Sequence, residues 1–133
     1  GEASSKPFST SGHVAISWNG SAQSARAVGS AMGLIAKAEK VTVLTAASDQ
    51  TSAARAPELA TYLEWHGIVP DTRTFTSEGG QPVGAALLAE CGALGVDLLV
   101  MGAYTHSRMR QLILGGVTRH ILENATLPLF MAH

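Results

Sequence analysis

The chain has 133 residues, enough for one domain with a core of its own. Apolar residues make up 46% and charged residues 14%, and nine Lys and Arg stand against ten Asp and Glu. That near-neutral balance gives no general pull toward nucleic acid or an anionic membrane, and no apolar run reaches the roughly 20 residues that span a bilayer.

Residues 1–12 are small and polar, with Phe8 as their one apolar anchor, and read as a linker or cloning remnant. They have neither the basic start nor the apolar stretch of a signal peptide, and the sequence begins without Met. The folding unit is expected over 13–133, with a cytoplasmic location.

His13 to Trp18 is a short β-type run, ended by the turn signal Asn19-Gly20 and a helix cap at Ser21. Ala25, Val28, Met32 and Ile35 then place one apolar stripe on a helix. Val41 to Ala46 is the second strand. Residues 51–56 read as loop or frayed helix, with Pro57 at a first helical position. Leu59, Tyr62, Leu63 and His66 follow at helical spacing, and Gly67 is the stop. Ile68 to Phe75 predicts a third strand, placed at a sheet edge by Pro70.

Glu78 to Pro82 is a loop. The next helix carries Val83, Leu87, Cys91 and Leu94 on one face, with Gly95 past its end. Asp97 to Gly102 is continuously apolar after its first residue, which signals a strand buried on both faces. A loop, helical in part, is expected from Ala103 to Leu114. The pair Gly115-Gly116 opens a last helix through Val117, Ile121 and Leu122, and Leu127 to Ala132 is the fifth strand. Alternating strands and helices predict an α/β fold: an open, doubly wound, five-stranded parallel sheet with helices on both faces.

In such sheets ligands sit beyond the carboxyl ends of the strands, where the strand order reverses. Two loops stand out there: Trp18-Asn19-Gly20-Ser21, and Gly102 to Thr118. The second has the parts of an anion site. Gly102 permits a sharp turn after a buried strand, and Gly115 and Gly116 leave helix N-terminal amides unshielded for a phosphate. Thr118 adds a hydroxyl, and His106, Arg108 and Arg110 lie in the intervening loop. Glycine pairs also serve as plain turns and caps, and the residues alone leave both readings open.

From Leu99 to Leu122 the chain resembles the universal stress protein family, whose ATP-binding members carry G-x-x-G, nine residues, then G-S or G-T. The frame here is Gly102-Ala-Tyr-Thr105, nine residues, then Gly115-Gly116. The likeness extends over nearly all of 13–133, including Val14 to Ser21 and Ala125 to Met131. It implies a Rossmann-like fold of the adenine nucleotide alpha hydrolase type, with sheet order 3-2-1-4-5. It also implies ATP or a related adenine nucleotide, with or without Mg²⁺, held by Ser17, Trp18, Asn19, Gly102, Thr105, His106, Arg108, Gly115, Gly116, Val117 and Thr118. Three positions depart from the pattern. Thr105 replaces the second motif glycine, Gly116 replaces a hydroxyl residue, and Asn19 replaces an Asp that holds the adenosine in many relatives.

Three functions follow. One is a nucleotide-binding regulatory module; another is a scaffold of the same fold that acts by dimerisation without nucleotide. The third is a weak ATPase, for which Asp49 is the nearest candidate carboxylate, so an enzyme is not the expectation. The partner predicted for the edge strand Leu127 to Ala132 is a second copy, or a preceding domain in a tandem chain; other protein partners are unknown. The remaining residues read more plainly. The histidines share no metal-ligand spacing, and Cys91, the one cysteine, is a core thiol. Asp97 lies at the far end of its strand from the ligand loops.

Overall fold

The computed structural model describes residues 12–103, 105–108, 111–114 and 116–133, with only the backbone at 105–108 and 111–114. The predicted linker therefore lies outside the described residues except for Gly12. The elements are β1 (His13–Ser17), α1 (Ala22–Ala36), β2 (Lys40–Ala46), α2 (Gln50–Trp65), β3 (Asp71–Phe75), α3 (Val83–Leu94) and β4 (Leu98–Gly102). They continue with β5 (Thr105–Arg108), β6 (Gln111–Leu114), α4 (Gly116–Asn124) and β7 (Leu129–Ala132).

The main sheet has the order β3-β2-β1-β4-β7 and all its pairs are parallel. This is the predicted 3-2-1-4-5 arrangement, with a hairpin inserted before the last strand. Alternate side chains of the central strands enter two separate cores, one on each face. Val14, Ile16, Val43 and Val100 pack with Val28 and Ile35 of α1 and with Leu59 and Leu63 of α2. Ala15, Leu44, Leu99 and Met101 pack on the other face with Leu87 and Cys91 of α3 and Ile121 of α4. Burial on both faces explains the unbroken apolar run of β4. Cys91 is 1% exposed, and burial, then the neighbouring Glu90 charge, push its thiol up to about 11.

The two ends of the sheet differ in character. At the amino end, His13 N donates to Asp97 Oδ2 at 2.8 Å. His13 Nδ1 lies 3.2 Å from the Leu94 carbonyl, which can only accept, so Nε2, 2.7 Å from Thr42 Oγ1, takes the hydroxyl proton. One histidine thus caps the end of α3 and ties it to β2. Asp97 anchors β1, away from the ligand loops.

Several elements differ from the sequence reading by more than a residue at an end. Helix α2 begins at Gln50 rather than at Pro57, because Asp49 caps it by accepting from Ser52 N at 3.1 Å. Pro57 sits inside the helix with its ring on the exposed side. Strand β3 starts after Pro70, at Asp71, and β7 starts after Pro128, at Leu129. The segment read as loop with helix forms an antiparallel hairpin, β5 with β6, in which Thr105 faces Leu114 and Arg108 faces Gln111. Its backbone groups pair with each other instead of with the main sheet. Elsewhere the punctuation acts as read: Gly67 and Gly95 take left-handed conformations just past α2 and α3.

Gly102 has a different role from the one expected. It makes no left-handed turn. A Cβ there would lie 2.6 Å from Gln23 C and Ser24 N, so the end of β4 lies directly against the first turn of α1. Gly102→Ala is expected to force these backbones apart and cost about 1–3 kcal/mol, read as a lower urea midpoint with unchanged slope.

Candidate functional site

The carboxyl ends of β1, β2 and β4 open into a cleft of about 410 Å³. Its position is the strand-order reversal, since β1 pairs with β2 on one side and β4 on the other. Of the residues singled out in the sequence, seven line it: Ser17, Trp18, Asn19, Gly102, Gly116, Val117 and Thr118. Gly115 and the side chains of Thr105, His106 and Arg108 lie outside the described residues.

The wall at β1 is a tightly organised turn. Asn19 Oδ1 accepts from Ser21 N at 3.0 Å, and Ser21 Oγ accepts from Ser24 N at 3.1 Å to cap α1. Gly20 follows with φ +72°, a conformation the Asn-Gly pair supplies. Asn19 Oδ1 thus commits one of its two lone pairs to the chain itself.

The wall at β2 is held to that turn. Ser52 Oγ lies 2.8 Å from the Asn19 carbonyl oxygen and 2.5 Å from Asp49 Oδ2, and its single proton serves one at a time. With Ser52 N on Oδ1, Asp49 holds both carboxylate oxygens toward Ser52. These bonds, the side-chain one first, hold the Asp49 carboxyl below its ordinary value of 3.8, against a small opposing effect of burial.

The opposite wall is the start of α4. Gly116 is exposed, takes no left-handed φ, and a Cβ there would meet nothing within 4 Å. The fold does not require glycine at this position. Thr118, 1% exposed, lies one turn in. Phe75, Val83, Leu87 and Met101 complete the cleft with apolar surface between these polar rims. An apolar floor, a polar turn and a helix N-terminus together suit a flat apolar ring system attached to a polar or anionic tail.

Ala46, Ser48, Phe75, Val83, Leu87 and Met101 were not anticipated as lining residues. Ala46 and Ser48 follow from the strand-end rule applied to β2. The apolar four carry only a core signal in the sequence, and only the fold shows that they reach the cleft. Trp18 also lines the cleft, and its Nε1 is buried without a hydrogen-bond acceptor among the described residues. No group of three or more His, Cys, Asp or Glu among the described residues is placed to hold a metal. No described helix is long and apolar enough to cross a membrane.

The fold is a doubly wound α/β fold with its cleft at the strand-order reversal, and sequence comparison gives its family. A profile of the universal stress protein family matches residues 67–133, and the chain belongs to that family. A universal stress protein family member from Burkholderia pseudomallei superposes with a TM-score of 0.71 at 18% identity, covering 94% of this chain and 98% of its own. A universal stress protein from Archaeoglobus fulgidus gives 0.73 at 16%, over 90% of this chain and 44% of its own. A universal stress protein solved in complex with cAMP gives 0.69 at 21%, over 94% and 99%. These identities establish shared fold. Among curated protein sequences none matches this chain.

The cap at Asp49 makes a pH-dependent contribution. Its folded pKa lies below the unfolded value, so the stabilisation is present above 3.8 and is lost as pH falls through the folded pKa. Asp49→Ala is expected to cost about 1 kcal/mol at pH 7. The gap between variant and wild type in urea unfolding should close below pH 3.8.

Proposed function

We propose that the protein is a regulatory module that binds an adenine nucleotide in the cleft beyond β1, β2 and β4 and acts through association with a second copy. The observation that carries this reading is the cleft itself: an apolar floor between a capped turn at Asn19 and the first residues of α4. The cAMP complex of a relative of the same fold supports it by family likeness. Binding rather than hydrolysis fits Asp49, whose oxygens are both engaged by Ser52 and whose low pKa makes it a weak base at neutral pH.

A dimerising scaffold without nucleotide is the second reading. It is favoured by Gly116, which has no hydroxyl, and by Asn19, which carries no charge and whose side-chain oxygen already holds the turn. Chromatography of small molecules released by denaturing the purified protein separates the two. Released AMP, ADP or ATP is the expected result; clean protein with no thermal shift in millimolar nucleotide favours the scaffold. Because a Cβ at 116 meets open space, Gly116→Ser should fold normally and tighten AMP about tenfold, the worth of one hydrogen bond to a charged group. Gly116→Glu should abolish binding by placing a carboxylate at the helix N-terminus. Calorimetry showing AMP affinity unchanged in both variants would move the ligand out of this cleft.

Association is assigned to β7. Leu99 N donates to the Pro128 carbonyl and Ala103 N to the Ala132 carbonyl, so ladder alternation leaves the backbone groups of Leu129 and Met131 on the free edge. This short edge has no charged residue to blunt it. Pairing of two such edges gives an isologous two-fold dimer. Leu129→Pro removes an outward N–H and spares the β4 ladder, and it should shift a dimer toward monomer in sedimentation while the melting transition remains cooperative. A wild-type monomer at tens of micromolar would remove the dimer from the proposal.

A further inference from the structure

The turn after β1 and the loop after β2 form adjacent walls of the cleft, and the sheet stops joining them before either wall is complete. Trp18 N donates to the Leu44 carbonyl at 2.9 Å, the last backbone bond between these two chain segments among the described residues. Beyond it the β2 chain leans the other way, with Ala47 N donating to the Phe75 carbonyl of β3 at 2.8 Å. Asn19 and Asp49, which both line the cleft, therefore sit on segments that diverge. Ser52, the third residue of α2, spans the gap from behind the lining. Its Oγ lies 2.8 Å from the Asn19 carbonyl oxygen and 2.5 Å from Asp49 Oδ2. The residue is 2% exposed, so water does not take over the contact when the hydroxyl is removed.

We infer that Ser52 is a positioning residue of the site: its hydroxyl fixes the β1 turn against the start of α2 and so sets the spacing of Asn19 and Asp49 that an adenine nucleotide meets. The inference rests on the adenine reading given above and goes beyond it by naming a group outside the lining on which affinity depends. Its physics is preorganisation. A wall already in place spares the ligand the cost of ordering it, whereas a loosened turn must be ordered as the ligand binds. Asp49 still accepts from Ser52 N when the hydroxyl is lost, so α2 stays capped and the effect falls on the spacing.

Ser52→Ala tests this against a matched control at the other end of the sheet. Thr42→Val removes a buried hydroxyl there, 2.7 Å from His13 Nε2. Both variants should unfold cooperatively at lower urea than wild type. Calorimetry should show AMP bound about fivefold more weakly by Ser52→Ala, the worth of one hydrogen bond, and within about twofold of wild type by Thr42→Val. Ser52→Cys, with only a weak S–H donor, should lose affinity in the same direction and serves if the alanine variant does not fold. A second readout needs no ligand. Trp18 adjoins the turn, and the other tryptophan, Trp65, is 83% exposed and replaceable by Phe. In a Trp65→Phe background, Ser52→Ala should shift the emission of Trp18, and Thr42→Val should leave it in place. AMP affinity unchanged in Ser52→Ala, or lowered equally in both variants, overturns the positioning role and leaves the adenine reading standing. Unmoved Trp18 emission in Ser52→Ala overturns it too, since the turn is then not held by this hydroxyl. Wild type that does not bind AMP overturns both the inference and the adenine reading.

Discussion

The close approach of β4 to α1 at Gly102 is the constraint on which the cleft depends. Without a Cβ at that residue, the backbone of Gln23 and Ser24 can lie on the strand end. From there a chain of contacts crosses the mouth of the sheet. Ser24 N is held by Ser21 Oγ, Ser21 N by Asn19 Oδ1, the Asn19 carbonyl by Ser52 Oγ, and Ser52 by Asp49. Two helix caps and one turn thereby join the ends of β4, β1 and β2 into a single rim. A shift at any link displaces the lining on both sides of it. The cleft is therefore a by-product of how two helices start, not a separate structure placed on the fold.

The rigidity beneath that rim comes from the two cores. Each central strand sends alternate side chains to opposite faces, and β1 and β4 have no solvent-facing side from Val14 to Ile16 or from Leu98 to Met101. Sheet ends positioned by such strands move little relative to one another. The amino end uses its polar residues for anchorage: His13 joins α3 to β2, and Asp97 holds β1. The carboxyl end uses its polar residues at the cleft. Stability and recognition are thus divided between opposite edges of one sheet.

The same division explains what could be read from the sequence. Five strands, the edge position of β3, the buried position of β4, and helix ends at Gly67 and Gly95 follow from local patterns that the tertiary fold does not contradict, whereas the full strand order came from the family resemblance. The start of α2 was misplaced because Pro57 resembles an N1 residue, whereas the actual cap, Asp49 with Ser52, lies beyond a stretch of weakly periodic residues. The hairpin at 105–114 was missed because Met109, Leu112 and Ile113 also fit helical spacing. For the cleft, residues that bring a turn or glycine signal were found: Asn19, Gly102 and Gly116. Phe75, Val83, Leu87 and Met101 were not, since an apolar side chain that lines a cleft carries the same pattern as one sealed in the core. Even Gly102 was found for the wrong reason, as a turn rather than as a point of helix contact.

Family membership does not decide what the cleft holds, because function resides in the site and not in the fold. The two departures among the described residues act on different parts of the cleft. An Asp at the β1 turn would place a charge at residue 19, where Asn19 instead uses a neutral oxygen to close the turn. A hydroxyl at residue 116 would add a phosphate donor, where Gly116 leaves open space. The change at residue 116 removes a donor for an anionic tail, whereas the change at residue 19 removes a negative charge from the turn. The remaining carboxylate, Asp49, is also the cap of α2 and is fastened to the Asn19 loop through Ser52. A ligand that displaces Asp49 must therefore loosen a helix start as well as overcome a charge. One that leaves Asp49 undisturbed finds the rim already formed.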